Sequence, residues 1–238
     1  MTRYLDKITD EIKITKALTY AVLPGYDAEH TETPLMLDVY EPAGDMETNR
    51  HAILFVHGGG FVSGTRDVGY PPVICTLLAK RGYVCFSIDY RLFPSGKERG
   101  TYADAAPIAA KDVDLARKWI FERAEEFGFD PAKMAISGGS AGGMACIEAC
   151  KLHNYSAFAC LWGTNDGATL CEGFPPTILI HGTADQLVAY EYCEAFYAKL
   201  KENNVTCQLV TLPDAPHTPM KRLADFEGPM VEFLYKNM

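Results

Sequence analysis

No stretch of this chain approaches the ~20 consecutive apolar residues a membrane-spanning helix requires, so no such helix is expected. Basic runs are absent too: lysines and arginines come no more than two together, as at Lys221-Arg222, and the formal net charge is -9. That surface repels a phosphate backbone, and nucleic acid is not an expected partner. The N-terminus lacks the apolar core of a signal peptide, because charges interrupt it throughout residues 1–18. Cys75, Cys85, Cys146, Cys150, Cys160, Cys171, Cys193 and Cys207 are dispersed through apolar contexts rather than framed as disulfide pairs. Both features predict reduced thiols and a cytoplasmic location. Cys146, Cys150 and His153 share a helical spacing but have no fourth ligand nearby, so no metal site is expected. Internal repeats, low-complexity tracts and Gly/Ser/Pro-rich linkers are also missing, and residues 1–238 read as one domain.

What is present is an alternation. Short apolar or β-branched runs at 17–23, 36–40, 52–56, 83–88, 134–137, 157–162, 177–181 and 207–212 read as strands. Pro24-Gly25 turns between the first two, and Asp130-Pro131 punctuates before the run at 134. Helix-period segments occupy 72–81, 109–127, 141–152, 190–202 and about 220–235. Strands joined by crossover helices predict an α/β fold: a mostly parallel sheet of about eight strands, helices on both faces, with an antiparallel piece at the start.

Three motifs follow strand ends. Gly138-Gly139-Ser140-Ala141-Gly142 is a G-x-S-x-G sequence between a strand and a helix, a sharp turn that exposes the serine hydroxyl above the sheet. The helix that starts there aims its first N–H groups at the same place. His57-Gly58-Gly59-Gly60-Phe61 follows the apolar run ending at Val56; glycines leave backbone N–H groups unshielded, able to bind a developing oxyanion. A phosphate cradle would want the P-loop lysine, which is absent. His57 itself reads as a structural residue that holds this loop. His181-Gly182-Thr183-Ala184-Asp185 and Pro213-Asp214-Ala215-Pro216-His217 follow later strands, giving the chain order Ser…Asp…His. In this reading His217 takes the Ser140 proton and Asp185 orients the imidazole. Asp214 and Asp166 are rival acids, the first too close to His217 in sequence and the second after the wrong strand. His30, His51, His153 and His181 read as surface or packing residues.

Together these motifs resemble the α/β-hydrolase superfamily, in particular hormone-sensitive-lipase-like carboxylesterases and acetyl-xylan or cinnamoyl esterases. Leu37-Asp38-Val39-Tyr40-Glu41-Pro42 and Asp89-Tyr90-Arg91-Leu92 resemble two further segments of that family. The resemblance implies Ser140, Asp185 and His217 as a catalytic triad, Gly59, Gly60 and Ala141 as oxyanion-hole donors, and no cofactor. Gly139 stands where lipase-like relatives often carry Asp. A full lid does not fit between the predicted elements, so an open pocket is expected, partly covered by Phe61, Phe93 and Trp162. The expected reaction is hydrolysis of short-acyl esters, including acetylated or feruloylated sugars. Amide or arylformamide hydrolysis uses the same triad and stays open, as does a hydrolase fold that only binds its ligand. The last strand, at an expected sheet edge, leaves a homodimer open.

Overall fold

The computed structural model describes residues 1–24, 32–94, 100–165 and 167–238. Gly25, His30 and Asp166 therefore lie outside the described residues. Among the described residues eight strands form one sheet in the order β1-β2-β4-β3-β5-β6-β7-β8. They are β1 (Ile12–Leu23), β2 (Thr33–Pro42), β3 (Arg50–Val56), β4 (Val84–Ile88), β5 (Phe129–Gly139), β6 (Phe158–Leu161), β7 (Thr177–Gly182) and β8 (Cys207–Leu212). β2 runs antiparallel to β1 and to β4, and every pairing from β4 to β8 is parallel.

The helices are α1 (Tyr70–Ala79), α2 (Tyr102–Phe121), α3 (Ala141–Leu152), α4 (Tyr190–Glu202) and α5 (Leu223–Asn237). Every residue of β3 is buried, and its side chains alternate: Ala52, Leu54 and Val56 join the core beneath α2, α3 and α4, while Ile53 and Phe55 join the core beneath α1 and α5. A strand covered on both faces has no polar side to show, hence the unbroken apolar run from Ala52 to Val56.

α2 starts earlier than the periodicity predicts. Thr101 accepts from the Asp104 N–H and the Asp104 side chain returns a bond to the Thr101 N–H, a capping box that sets the start upstream of Pro107. β5 also starts earlier: Phe129 pairs with Arg50, the register then slips, and Met134 pairs with Ala52. Asp130-Pro131 thus lies in a bulge of the strand, a place where a missing N–H is tolerated. Because β3, β5, β7 and β8 are parallel, the segments after their carboxyl ends gather along one edge of the sheet, where open α/β sheets place their ligand sites.

Candidate active site

Ser140 sits between β5 and α3 with φ 54° and ψ -128°, a conformation strained for a residue with a side chain. The flanking glycines make the turn feasible. A Cβ on Gly142 would lie 2.2 Å from the Val56 carbonyl oxygen, and one on Gly138 would lie 2.7 Å from the Gly142 backbone. The Ser140 N–H is tied to Leu161 O at 2.9 Å, which locks the elbow to β6.

The loops after β7 and β8 bring Asp185 and His217 to this serine. The Ser140 hydroxyl donates to His217 Nε2 at 2.9 Å, and His217 Nδ1–H donates to Asp185 Oδ2 at 2.7 Å. Asp185 Oδ1 accepts the Leu187 and Val188 N–H groups, each at 2.9 Å. Burial pushes the Asp185 carboxyl up, but the bonds from Val188, His217 and Leu187 outweigh it and hold the group below its usual range. An ionised carboxylate only accepts, so His217 Nδ1 must carry a proton and Nε2 is left as the base toward Ser140. Such an arrangement can activate a serine for attack on a carbonyl carbon. The rival Asp214 points elsewhere: it is exposed, and its N–H is bound by Thr183 Oγ1 at 2.8 Å.

The glycine loop after β3 lies beside the serine. Its first glycine is not an available donor, because the Gly58 N–H donates to Tyr70 Oη at 2.6 Å. The same hydroxyl donates to Gly139 O at 3.0 Å, so Tyr70 clamps the glycine loop to the strand that carries Ser140. Gly59 adopts φ 115°, where an added Cβ would lie 1.9 Å from Ser63 O, and no other residue serves there. Gly59, Gly60, Ser140 and Ala141 line one cavity of about 310 Å³. Ala141 opens α3, where helix N–H groups have no intrahelical acceptor.

His57 turns away from the serine. Its Nδ1–H donates to Gly58 O at 2.6 Å, its ring stacks on Tyr90 at 4.4 Å, and Tyr90 Oη donates to His57 O at 3.1 Å. The two segments quoted for family resemblance anchor the far end of this loop. Arg66 Nε donates to the buried Asp38 at 2.8 Å, and Arg66 Nη1 donates to Asp89 at 2.6 Å.

The expected cover of the pocket is corrected here for all three residues. Phe61 and Trp162 do not cover the pocket; both are fully buried in the core, Trp162 edge-on to Tyr70 and Phe226. Phe93 also stays off the cavity wall: it packs against the core, and its N–H donates to Phe61 O at 2.8 Å. The rim is instead built by Tyr70, Tyr102, Met144, Leu187, Val188 and Thr218, of which Leu187 is 72% exposed. A second cavity of about 390 Å³ shares Tyr102, Met144, Leu187 and Val188 with the first and continues to Thr101, Asn165 and Tyr192. These rim residues come from α1, α2, α3, α4 and loops far apart in sequence, with no motif to flag them.

Sequence reasoning also missed His181. Its side chain is 1% exposed and its Nε2 lies 3.0 Å from Asp185 Oδ2 and 3.0 Å from Val188 O. Burial lowers the pKa of His181, of His57 and of His51, the last to about 4. A histidine whose folded pKa lies below its unfolded value of ~6.5 takes up its proton first in the unfolded chain. Stability is therefore full above pH ~6.5 and is lost as pH falls toward the folded values. Asp185 acts in the same sense at lower pH, since its depressed pKa stabilises the fold above the ordinary carboxylate range of ~3.9 and ceases to do so below it. The melting temperature should hold steady above neutrality and decline steadily from about pH 6.5 to pH 4. Calorimetry across that range checks this, and a constant value between pH 7 and pH 4.5 would refute it.

Comparison with known proteins places this geometry. The BD-FAE family model matches residues 37–159, and the model of the prolyl oligopeptidase family matches residues 166–237. Lipase 2 of Moraxella sp. (strain TA144) is 34% identical over 127 residues, covering 52% of this chain and 27% of that protein. Ethyl acetate hydrolase of Pseudomonas putida is 32% identical over 112 residues, covering 47% of this chain and 32% of that protein. The chain thus spans about a third or less of the length of these curated relatives. The structure of Thermogutta terrifontis esterase 2 with propionate bound superposes with a TM-score of 0.70 at 26% identity, covering 99% of this chain and 97% of that one. The same esterase phosphonylated by cyclosarin gives 0.69 at 25% identity, covering 97% and 95%. With more than half its residues matched by that one model, and with a sheet, nucleophile elbow and loop order of the α/β-hydrolase type, the chain belongs to the BD-FAE family.

Proposed function

We propose that the protein is a serine carboxylesterase acting on short-acyl esters, with residues 1–238 forming one domain. The observation that carries this reading is the hydrogen-bonded series Ser140–His217–Asp185 facing a cavity lined by Gly59, Gly60 and Ala141. In the first step His217 Nε2 takes the Ser140 proton as Oγ attacks the ester carbonyl carbon. The carbonyl oxygen becomes an oxyanion beside the glycine loop and the first turn of α3. Collapse expels the alcohol, which receives its proton from His217, and leaves an acyl group on Ser140. Water, activated by the same imidazole, releases the acid. No cofactor enters these steps.

The small first cavity suits a short acyl group, and the second, open toward solvent past Leu187, suits a larger alcohol such as an acetylated sugar or the sugar side of a feruloyl ester. All eight cysteines are free thiols, which supports a reducing compartment such as the cytoplasm. β8 ends the sheet, and a homodimer would form along that edge.

The test is a p-nitrophenyl ester series from acetate to palmitate. Turnover should fall as the acyl chain lengthens; equal rates on acetate and palmitate would argue against the short-acyl reading. The C-terminal match to the prolyl oligopeptidase family favours a second reading, amide cleavage by the same residues. An anilide cleaved as fast as its matching ester would support that instead.

A further inference from the structure

We infer that His181 is a positioning residue for the reaction: its Nε2–H, given to Val188 O, also lies against the Asp185 carboxylate and keeps it in the plane that His217 requires. This rests on the esterase reading above. Asp185 Oδ2 accepts from His217 Nδ1–H at 2.7 Å, and His181 Nε2, which donates to Val188 O at 3.0 Å, lies 3.0 Å from the same oxygen. Oδ1 receives two backbone N–H groups, from Leu187 and Val188. Oδ1 is thus held on two sides, while Oδ2 is held by His217 and flanked by the His181 ring, and the carboxylate cannot turn about Cβ–Cγ without breaking a bond. Without His181, the oxygen that orients His217 would be held only by His217 itself.

The tautomer of His181 follows from its surroundings. Val188 O and Asp185 Oδ2 are both acceptors, so Nε2 must carry the hydrogen. Nδ1 is then a bare acceptor, and it is buried with no hydrogen-bond partner among the described residues. An unsatisfied buried nitrogen costs stability that an apolar side chain of similar size would not. Packing alone therefore does not account for a histidine here; an Nε2–H placed between Val188 O and Asp185 Oδ2 does. The ring is held edge-on by Tyr190, with centroids 5.9 Å apart, and β7 ends one residue later, so the donor sits on a rigid support.

The test compares wild type with H181M, which fills the space without a donor, and H181Q, whose amide nitrogen reaches about as far as Nε2. With p-nitrophenyl acetate, H181M should lose about 10- to 100-fold in kcat with KM within about twofold, and H181Q should recover to within a few-fold of wild type. Proton NMR of the low-field His217 Nδ1–H signal is a second readout that needs no turnover. It should broaden or vanish in H181M and persist in H181Q. A wild type that turns over no ester yet shows this NMR contrast would overturn the esterase reading and leave the positioning role standing. Should H181M not fold, the contrast is read between H181Q and H181N, whose shorter amide stops short of Asp185. Wild-type kcat and an unchanged signal in folded H181M or H181N, or equal losses in H181Q, would overturn the role.

Discussion

Ser140→Ala should lower kcat/KM for p-nitrophenyl acetate by roughly 10⁵- to 10⁶-fold while leaving the melting temperature within a degree or two. The size follows from the covalent step: without Oγ no acyl-enzyme forms, and only water activated by His217 remains, aided by the backbone donors around the cavity. The fold should not suffer, because alanine keeps the Cβ at the elbow and φ 54° strains it as it strains serine. What disappears is one bond, from the hydroxyl to His217 Nε2, and that nitrogen lies in a cavity that water can enter. Rates measured beside mass spectrometry after an organophosphonate settle the outcome. Wild type should gain one adduct on Ser140 and the variant none. Activity within tenfold of wild type would remove Ser140 from the mechanism.

Asp185→Asn should cost about 10⁴-fold in kcat/KM, with the protein still folded. The Leu187 and Val188 N–H groups both donate to Oδ1, so the amide oxygen of asparagine must stay there. The amide NH₂ is then forced into the place of Oδ2, facing His217 Nδ1. Two donors cannot share a bond, so His217 gives up its Nδ1 proton and carries one on Nε2 instead. That proton faces Ser140 Oγ, and the base is disabled with every heavy atom in place. The same substitution turns the NH₂ toward His181 Nε2, which must also change tautomer and loses Val188 O as an acceptor. Stability should therefore fall as well, visibly in the melting temperature. A variant with wild-type kcat would show that Asp185 does not set the tautomer of His217.

Much of this molecule is legible in its amino-acid order. The sheet and its helices follow from local periodicity: α3, α4 and β8 occupy the residues that the pattern predicts, because amphipathic spacing and flanking turn residues act over a few neighbours. The elbow at Ser140 is legible for the same reason, since a strained turn between strand and helix needs glycines at fixed offsets. So are Asp185 and His217, each directly after a strand of a parallel sheet whose carboxyl ends share one edge.

Contacts between distant segments were decided by packing alone. Whether an aromatic faces substrate or core depends on which helix covers it, and Phe61 and Trp162 are buried where the missing lid suggested a pocket cover. Tyr70 joins Gly58 to Gly139 across two strands, with nothing in its own neighbourhood to announce the role. His181 follows the same rule: four residues before Asp185 it reads as strand packing, and only the turn after β7 folds the carboxylate back onto its ring. Periodicity and turn chemistry are local and survive as pattern in a one-dimensional string. The second donor to a carboxylate, or the clamp between two loops, exists only once the sheet has set the strands side by side.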